Sequence, residues 1–277
     1  MPAALITGAT AGIGRAFAEV LAEAGHDLTL VARDADRLRT VAADLTGRHS
    51  CAVTVIAADL SGRAGMAVVE RHCADHPLSV LVNNAGSGMR ESFVHNDRQR
   101  EQESLDLLVT APLRLTHAAL PHMIERRQGS IINVGSVAAW LASGTYSAAK
   151  AWLTVFTESL ATDLAGTGVH ATVVAPGYTR TEFHARAGMR LGGVPGWMWL
   201  DPMTVARTGW ADVQAGRVVS IPGLQYRLLA TLVRTLPRPI VRSMSAARPG
   251  VQRRRAPTPV SPPPVSPPPV SPPPAPN

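Results

Sequence analysis

The sequence has few cysteines and no long apolar run, and each of these features argues against one class of protein. Cysteine occurs only at Cys51 and Cys73, without the paired spacing of a metal or redox couple, so we expect two buried thiols and no metal site. No run of about 18 uncharged apolar residues is present, so no membrane-spanning helix is predicted. The first residues lead directly into an apolar strand, without the basic flank or cleavage site of a secretory signal. We therefore expect a soluble chain that functions in the cytoplasm.

Acidic residues are missing from the C-terminal part of the sequence. After Asp212 there are nine arginines and no acidic residue, whereas residues 1–212 have 18 basic and 20 acidic residues. The net charge of +7 therefore resides in the C-terminal part. The rest of the chain has no basic stripe with interleaved aromatic residues, so a nucleic-acid partner is not predicted.

Apolar runs that alternate with helical periodicity predict the fold class. The pattern indicates an α/β fold with a doubly wound, seven-stranded parallel sheet of the Rossmann type, in three layers. The predicted strands are residues 3–7, 27–33, 52–57, 79–83, 130–134, 170–174 and 217–221. The predicted helices include residues 15–24, 34–46, 98–126, 146–164 and 202–214. We expect a single domain over residues 1–244.

The C-terminal region has two predicted parts. Residues 224–242 place apolar side chains at helical spacing with arginines on another face, which predicts a basic amphipathic helix interrupted at Pro237 and Pro239. Such a helix is compatible with an anionic membrane surface, but packing over a lid or at a subunit contact explains it more economically. Residues 245–277 are rich in arginine and proline and contain three VSPPP repeats, so we expect a polyproline spacer or a disordered tail.

A glycine-rich turn follows the first predicted strand. The segment Gly8-Ala9-Thr10-Ala11-Gly12-Ile13-Gly14 leads into a helix. Glycines let the backbone turn sharply and approach a pyrophosphate, whose charge the helix N-terminus favours. Because similar turns also serve as ordinary strand-to-helix connections, it is the position directly after the first strand that favours nucleotide binding.

The end of the second predicted strand bears on the choice of dinucleotide. An acidic residue there accepts a hydrogen bond from the ribose of NAD, whereas a cation pairs with the 2′-phosphate of NADP. This sequence has Ala32 and Arg33, and a guanidinium forms a charge-assisted fork with phosphate. Asp34 and Asp36 lie close by, however, and an arginine at a strand end is commonly a solvated charge. We predict a preference for NADP(H) and keep NAD(H) as the alternative.

A tyrosine and a lysine four residues apart open a long apolar helix. Tyr146 and Lys150 fall on one helical face, and Lys150 is the only lysine in the chain. A tyrosine that acts as a base near neutrality needs its pKa lowered from about 10, which a neighbouring ammonium and an oxidised nicotinamide would do. Ser136 follows the fifth predicted strand, where its hydroxyl could polarise a carbonyl. The alternatives are a surface lysine and a turn-capping serine.

These motifs resemble those of the short-chain dehydrogenase/reductase family over about residues 3–223. Five motifs fall in family order, namely residues 7–14, Asp59-Leu60, Asn83-Asn84-Ala85-Gly86, Ser136 with Tyr146 and Lys150, and Pro176-Gly177-Tyr178-Thr179-Arg180-Thr181. The resemblance implies that Asp59 and Leu60 border the adenine, that Asn84, Ala85 and Gly86 line the cofactor cleft, and that Pro176, Gly177, Thr179 and Thr181 hold the nicotinamide. It also implies that Lys150 binds the nicotinamide ribose and that the chain forms homodimers or homotetramers.

Two positions depart from the family pattern. Leu108 stands where the family has an asparagine whose backbone helps hold a water of the proton relay. The family pattern also includes a helix distortion that frees the backbone carbonyl at this position. Both that distortion and the proton relay are therefore in question. The interval of ten residues from Ser136 to Tyr146 is shorter than usual, which trims the loop beside the substrate.

The combined interpretation is an oxidoreductase that transfers a hydride between NADP(H) and a carbonyl or alcohol substrate. Ser136, Tyr146 and Lys150 are the predicted catalytic residues, and residues 182–201 the predicted substrate lid. The bulky side chains of that lid are Phe183, Met189, Trp197, Met198 and Trp199. They favour a bulky apolar ketone or aldehyde, although they equally well pack the lid itself. The alternative is a cofactor-binding sensor or scaffold with little turnover, suggested by Leu108 and the proline-rich tail.

Overall fold

Seven strands form one parallel sheet in the computed structural model, which describes residues 1–89, 91–188 and 193–246. The strands are β1 (Ala3–Thr7), β2 (Asp27–Ala32), β3 (Val53–Ala57), β4 (Val80–Asn83), β5 (Gly129–Val134), β6 (Val169–Val174) and β7 (Val219–Ser220). Their order is β3-β2-β1-β4-β5-β6-β7, and every neighbouring pair is parallel. Because the strand order reverses between β1 and β4, a crevice opens at their carboxyl ends, where such sheets bind ligands. The predicted doubly wound α/β fold is confirmed.

Helices cover both faces of the sheet. Within the described residues they are α1 (Gly12–Glu23), α2 (Ala35–Arg48), α3 (Arg63–Asp75), α4 (Arg98–Leu105), α5 (Ala111–Glu125), α6 (Gly144–Asp163), α7 (Phe183–Arg186), α8 (Pro202–Gln214), α9 (Leu224–Thr235) and α10 (Arg238–Ala246). One buried cluster, which includes Phe17 and Val205, joins α1, α2 and α8 to the sheet. A second cluster, which includes Leu115 and Leu160, joins α3, α5 and α6 to the other face.

Most predicted bounds differ from the observed ones by one to three residues. The first helix begins at Gly12 rather than at Arg15, because glycines at positions 12 and 14 are poor helix formers and hide its start from the apolar pattern. The last strand is Val219–Ser220 rather than residues 217–221. It pairs only with β6, so part of the apolar run stays outside the ladder.

The predicted helix 98–126 is interrupted near its middle. Between α4 and α5, residues Asp106–Thr110 form a π-helix, in which the Ala111 N–H donates to the carbonyl oxygen of Asp106, five residues back. The helix distortion that Leu108 put in question is therefore present. Pro121 lies inside α5 as well, although the helix continues through it.

The predicted amphipathic helix 224–242 is two helices, α9 and α10, because Pro237 cannot continue the first one. Tyr226, Ala230 and Val233 pack one face of α9 onto the domain. None of the helices in the described part of the chain has the length and apolar character needed to cross a bilayer. Of the predicted tail 245–277, all but its first two residues lie outside the described residues.

Candidate active site

The turn between β1 and α1 is shaped so that only glycine fits at three positions. Gly8 and Gly12 have φ values of +68° and +55°, which side chains rarely adopt. A Cβ atom on Gly14 would overlap the side chain of Asn84 and the carbonyl oxygen of Gly8. Ala11 precedes α1 without a side-chain capping hydrogen bond, so the first N–H groups of the helix stay available to a ligand. The turn, which also contains Thr10 and Ile13, is therefore a backbone cradle that suits a pyrophosphate.

The loop after β4 holds this cradle in place. The Thr7 hydroxyl accepts hydrogen bonds from the N–H groups of Asn84 at 2.9 Å and Ala85 at 3.0 Å, and it donates to the carbonyl oxygen of Val82. The Asn84 carboxamide donates to the carbonyl oxygen of Thr7 at 2.9 Å. Thr7 was missed as a site residue, although it ends the first strand directly before the glycine turn. The loops after β1 and β4 thus form one rigid wall of the crevice, with Gly86 at its far end.

The end of β2 presents a cation at the same edge of the sheet. The Arg33 side chain is 75% exposed, and its Nη1 lies 3.9 Å from Oδ2 of Asp59, which follows β3. Leu60 is buried beside them. An ion pair this long and this exposed is weak, so the guanidinium is free to engage an anion.

Ser136, Tyr146 and Lys150 meet at the carboxyl end of β5. The Ser136 Oγ accepts from the N–H of Ala138 at 3.1 Å, which caps the short turn after the strand. Tyr146 lies in the first turn of α6, and Lys150 follows one turn later. The Lys150 Nζ donates to the carbonyl oxygen of Val134 at 2.6 Å and lies 5.8 Å from the centre of the Tyr146 ring. Helical spacing and the end of a central strand thus bring together the three side chains named from the sequence.

The protein environment shifts the two titratable groups in opposite directions. Burial raises the pKa of Tyr146 to about 12, and a hydrogen bond with Ser136 offsets part of that rise. Burial lowers the pKa of Lys150 to about 8. The expected downward shift of the Tyr146 pKa is therefore not produced by the polypeptide itself, because desolvation raises that pKa more than the hydrogen bond with Ser136 lowers it. The chain's own groups hold Tyr146 as a neutral phenol.

Leu108 is fully buried in the π-helical segment, beside the loop after β4. Its Cδ2 lies 3.1 Å from where a Cβ atom on Gly86 would stand. An apolar side chain therefore fills the space next to the NNAG motif, and the widened turn forms without the family asparagine. Relative to the family pattern, this chain lacks the asparagine side chain but keeps the distortion of the helix backbone.

The segment after β6 reaches back to the glycine turn. The Cγ2 of Thr181 lies 2.8 Å from where a Cβ atom on Gly12 would stand, so the Thr181 side chain packs closely against the Gly12 backbone. Thr179 is buried, and its hydroxyl donates to the carbonyl oxygen of Gly177 at 3.1 Å. Pro176 is buried at the start of the segment. Residues 176–181 therefore close the crevice on the side opposite the loop after β4.

Tyr226, which was not among the predicted site residues, packs against this segment on the side of α9. A Cβ atom on Gly177 would overlap the ring of Tyr226, so glycine is needed there. The buried Tyr226 hydroxyl accepts from the N–H of Tyr178 at 3.0 Å and donates to the carbonyl oxygen of Met198 at 2.6 Å. In the sequence, Tyr226 shows only helical spacing with Ala230 and Val233, and that pattern predicts a packing face and not a site residue.

The predicted lid contributes an aromatic wall. The Phe183 ring lies 5.8 Å from the ring of Tyr146, and His184 packs between Tyr178 and Trp199. Glu182, at the start of the lid, pairs with Arg37 of α2 through two hydrogen bonds of 2.9 and 3.1 Å. Among the predicted lid residues, Trp197 points to solvent and Met189 lies outside the described part of the chain.

Comparisons with known proteins agree with this arrangement. Residues 2–190 match the family described as short chain dehydrogenase. The sulfoacetaldehyde reductase of Chromohalobacter salexigens is 40% identical over 186 residues, which cover 64% of this chain and 72% of that protein.

Two solved structures are similar in both fold and sequence. A short-chain dehydrogenase from Sphingobium yanoikuyae in complex with NADPH has a TM-score of 0.77 at 31% identity, covering 86% of this chain and 97% of that one. The bulky-bulky ketone specific alcohol dehydrogenase from Comamonas testosteroni has a TM-score of 0.74 at 30% identity, covering 86% and 96%.

Proposed function

The chain belongs to the short-chain dehydrogenase family and is an oxidoreductase, and from that premise we propose that it transfers a hydride between NADP(H) and a carbonyl or alcohol substrate. The observation that carries the proposal is the convergence of Ser136, Tyr146 and Lys150 at the carboxyl end of β5. The proposed oxidoreductase domain spans residues 1–244, with residues 182–201 as its substrate lid.

A nicotinamide dinucleotide fits the crevice because glycines open the backbone at the point where a pyrophosphate would lie. The residues proposed to hold it are Gly8, Thr10, Gly12, Ile13 and Gly14 at the pyrophosphate, Arg33, Asp59 and Leu60 at the adenosine, Asn84, Ala85 and Gly86 along the cleft, and Lys150, Pro176, Gly177, Thr179 and Thr181 at the nicotinamide end. When bound, the nicotinamide supplies or accepts the hydride.

The chain's own part in the reaction is the transfer of a proton. Because burial raises the pKa of Tyr146 to about 12, its phenol is protonated near neutrality and can donate to a carbonyl oxygen. Ser136 lies where its hydroxyl can hold that oxygen. Lys150 has a pKa of about 8, so it is still mostly cationic at neutral pH and stabilises the phenolate that remains. Alcohol oxidation uses the same groups in reverse.

Arg33 supports the choice of NADP(H) over NAD(H). Its guanidinium is exposed at the end of β2, and the weak pair with Asp59 leaves it free for a 2′-phosphate. The Sphingobium relative, which is described in complex with NADPH, is consistent with this choice.

The aromatic wall supports a bulky apolar substrate. Phe183 lies against the ring of Tyr146, and Tyr178, His184 and Trp199 extend the wall away from it. The Comamonas relative is described as specific for bulky-bulky ketones, which agrees with this choice. Sulfoacetaldehyde, named for the Chromohalobacter relative, is small and anionic and makes the informative competing substrate.

The proposal is tested by comparing wild-type protein with Tyr146→Phe in assays of NADPH oxidation with a panel of bulky ketones, aldehydes and sulfoacetaldehyde. The variant loses the proton donor, so turnover should fall by roughly 10²–10⁴-fold while NADPH affinity stays nearly the same. Undiminished turnover would rule out Tyr146 as the donor. Wild-type protein that binds NADPH but reduces none of the carbonyls would favour the sensor or scaffold alternative.

We also propose that the chain forms a homodimer or homotetramer through α5 and α6. Leu113 and Val155 are exposed on these helices, and the rings of Trp152 and Phe156 stack at 4.8 Å. Sedimentation of wild-type protein and of Val155→Glu would test this assembly, because a charge in an apolar contact should reduce the oligomer to smaller species.

A further inference from the structure

Helix α9 has an apolar face that points away from the domain. Leu224, Leu228 and Leu232 follow one another at four-residue spacing, so they share one side of the helix, and they are 69, 66 and 55% exposed. The other side of the helix already packs onto the domain through Tyr226 and Val233. The leucines are therefore not needed for the packing that holds α9 in place.

Further exposed apolar side chains lie on α10 and on the lid. On α10, Ile240 and Met244 are one turn apart and exposed. At the other end, the exposed Trp197 of the lid is tied to α9 by a hydrogen bond of 3.3 Å from the Gln225 carboxamide to its carbonyl oxygen. We call the set Leu224, Leu228, Leu232, Ile240 and Met244 the leucine strip. A run of exposed large apolar side chains of this kind marks a contact surface.

The charge around the leucine strip has a single sign. Arg227, Arg234, Arg238 and Arg242 are exposed on the same two helices, and none of them forms an ion pair with another described residue. The sequence has no acidic residue after Asp212 that could neutralise them. Arg227 and Arg234 also have local partners, the carbonyl oxygen of Ile221 and the ring of Trp140, whereas Arg238 and Arg242 project from α10.

We propose that α9 and α10 form a peripheral docking surface for a membrane that contains anionic lipids. The leucine strip enters the boundary between headgroups and acyl chains, and the arginines pair with lipid phosphates. A two-fold contact between copies of this surface fits less well, because it would oppose arginines with no acidic residue between them.

The leucine strip and its arginines are separate from the proposed chemistry. None of these residues belongs to the proposed catalytic or cofactor sites, so docking is measurable whether or not the substrate is known. The structure places the strip beside the lid through Trp197, so docking would bring the lid close to the bilayer.

The test is co-sedimentation of the full chain with vesicles of phosphatidylcholine alone and of phosphatidylcholine mixed with phosphatidylglycerol, at low and high salt. The wild type should bind only the anionic vesicles and be released by salt. Leu224→Gln/Leu228→Gln/Leu232→Gln should reduce binding by roughly tenfold or more. Arg238→Gln/Arg242→Gln should reduce it by roughly fivefold per arginine at low salt. Val68→Gln, at an exposed apolar position of α3, is the matched control and should bind like wild type.

Three outcomes would overturn the proposal. The first is no binding of wild type to either vesicle. The second is undiminished binding of the triple leucine variant, which would assign the attraction to the arginines alone. The third is that neither wild type nor the triple leucine variant binds vesicles, and the variant sediments as a smaller oligomer than wild type. That result would make the leucine strip a contact between copies of the chain. Unchanged NADPH affinity in the variants would show that each is folded.

Discussion

The substitution Tyr226→Phe removes one hydroxyl that bridges two segments of the proposed active site. That hydroxyl accepts from the N–H of Tyr178 in the segment after β6 and donates to the carbonyl oxygen of Met198 in the lid. Phenylalanine keeps the ring that packs against Gly177, so the change isolates the two hydrogen bonds from the packing.

The size of the effect follows from burial. Tyr226 is almost fully buried, so its loss leaves one N–H and one carbonyl without their partner in a dry environment. An unsatisfied buried polar group costs about 1–3 kcal/mol, and two groups lose their partner, so the free energy of unfolding should fall by roughly 2–6 kcal/mol. The segment 176–181 should also shift at the proposed nicotinamide site. Because a small misplacement of reacting groups is costly, kcat/KM should fall by roughly ten- to a hundredfold.

Denaturant titration gives the change in stability, and NADPH titration with steady-state kinetics gives the change in the site. Thr231→Val is the matched control, since it removes a hydroxyl from the same helix that only bonds within α9, at an exposed position. A Tyr226→Phe protein with wild-type stability would refute the bridge. Lower stability with unchanged NADPH affinity and kcat would show that the bridge supports the fold without positioning the site.

Two further predictions concern the cradle and the buried lysine. Gly14→Ala should abolish NADPH binding in a fluorescence titration, because the added methyl overlaps Asn84 and Gly8, and wild-type affinity would contradict the cradle. Burial lowers the pKa of Lys150 from 10.5 to about 8, so between these pH values the unfolded chain binds more protons than the folded one, and the free energy of unfolding should rise with pH by up to about 3 kcal/mol relative to Lys150→Met. Below pH 8 both states are protonated and this difference should be flat. A difference in the free energy of unfolding between the two proteins that stays constant over the whole pH range would contradict a buried ammonium at Lys150.

Much of the fold was predictable because its signals are local. Buried parallel strands read as continuous apolar runs, and their alternation with helices fixes the doubly wound class. The structure also brings together Ser136 and the Tyr146–Lys150 pair, which were predicted from a strand end and from a spacing of one helical turn. Their spacing in sequence translates directly into proximity at one edge of the sheet.

The features that were missed depend on contacts distant in sequence. The role of Tyr226 needs the approach of α9 to Gly177, which no local pattern encodes. The raised pKa of Tyr146 follows from burial, which depends on segments distant in sequence. The π-helix at Asp106–Thr110 forms with Leu108 in place of the family asparagine, so it is a property of how this helix packs and not of one polar side chain.

The most direct test of the proposed dinucleotide site is a fluorescence titration of wild-type protein with NADPH and with NADH, repeated for Arg33→Ala. Arg39→Ala, another exposed arginine nearby on α2, is the matched control. We expect tighter binding of NADPH than of NADH, a preference that Arg33→Ala reduces by roughly tenfold or more and Arg39→Ala leaves unchanged. Equal affinity for both dinucleotides would contradict the proposed NADP(H) preference, and binding of neither would contradict the dinucleotide site itself.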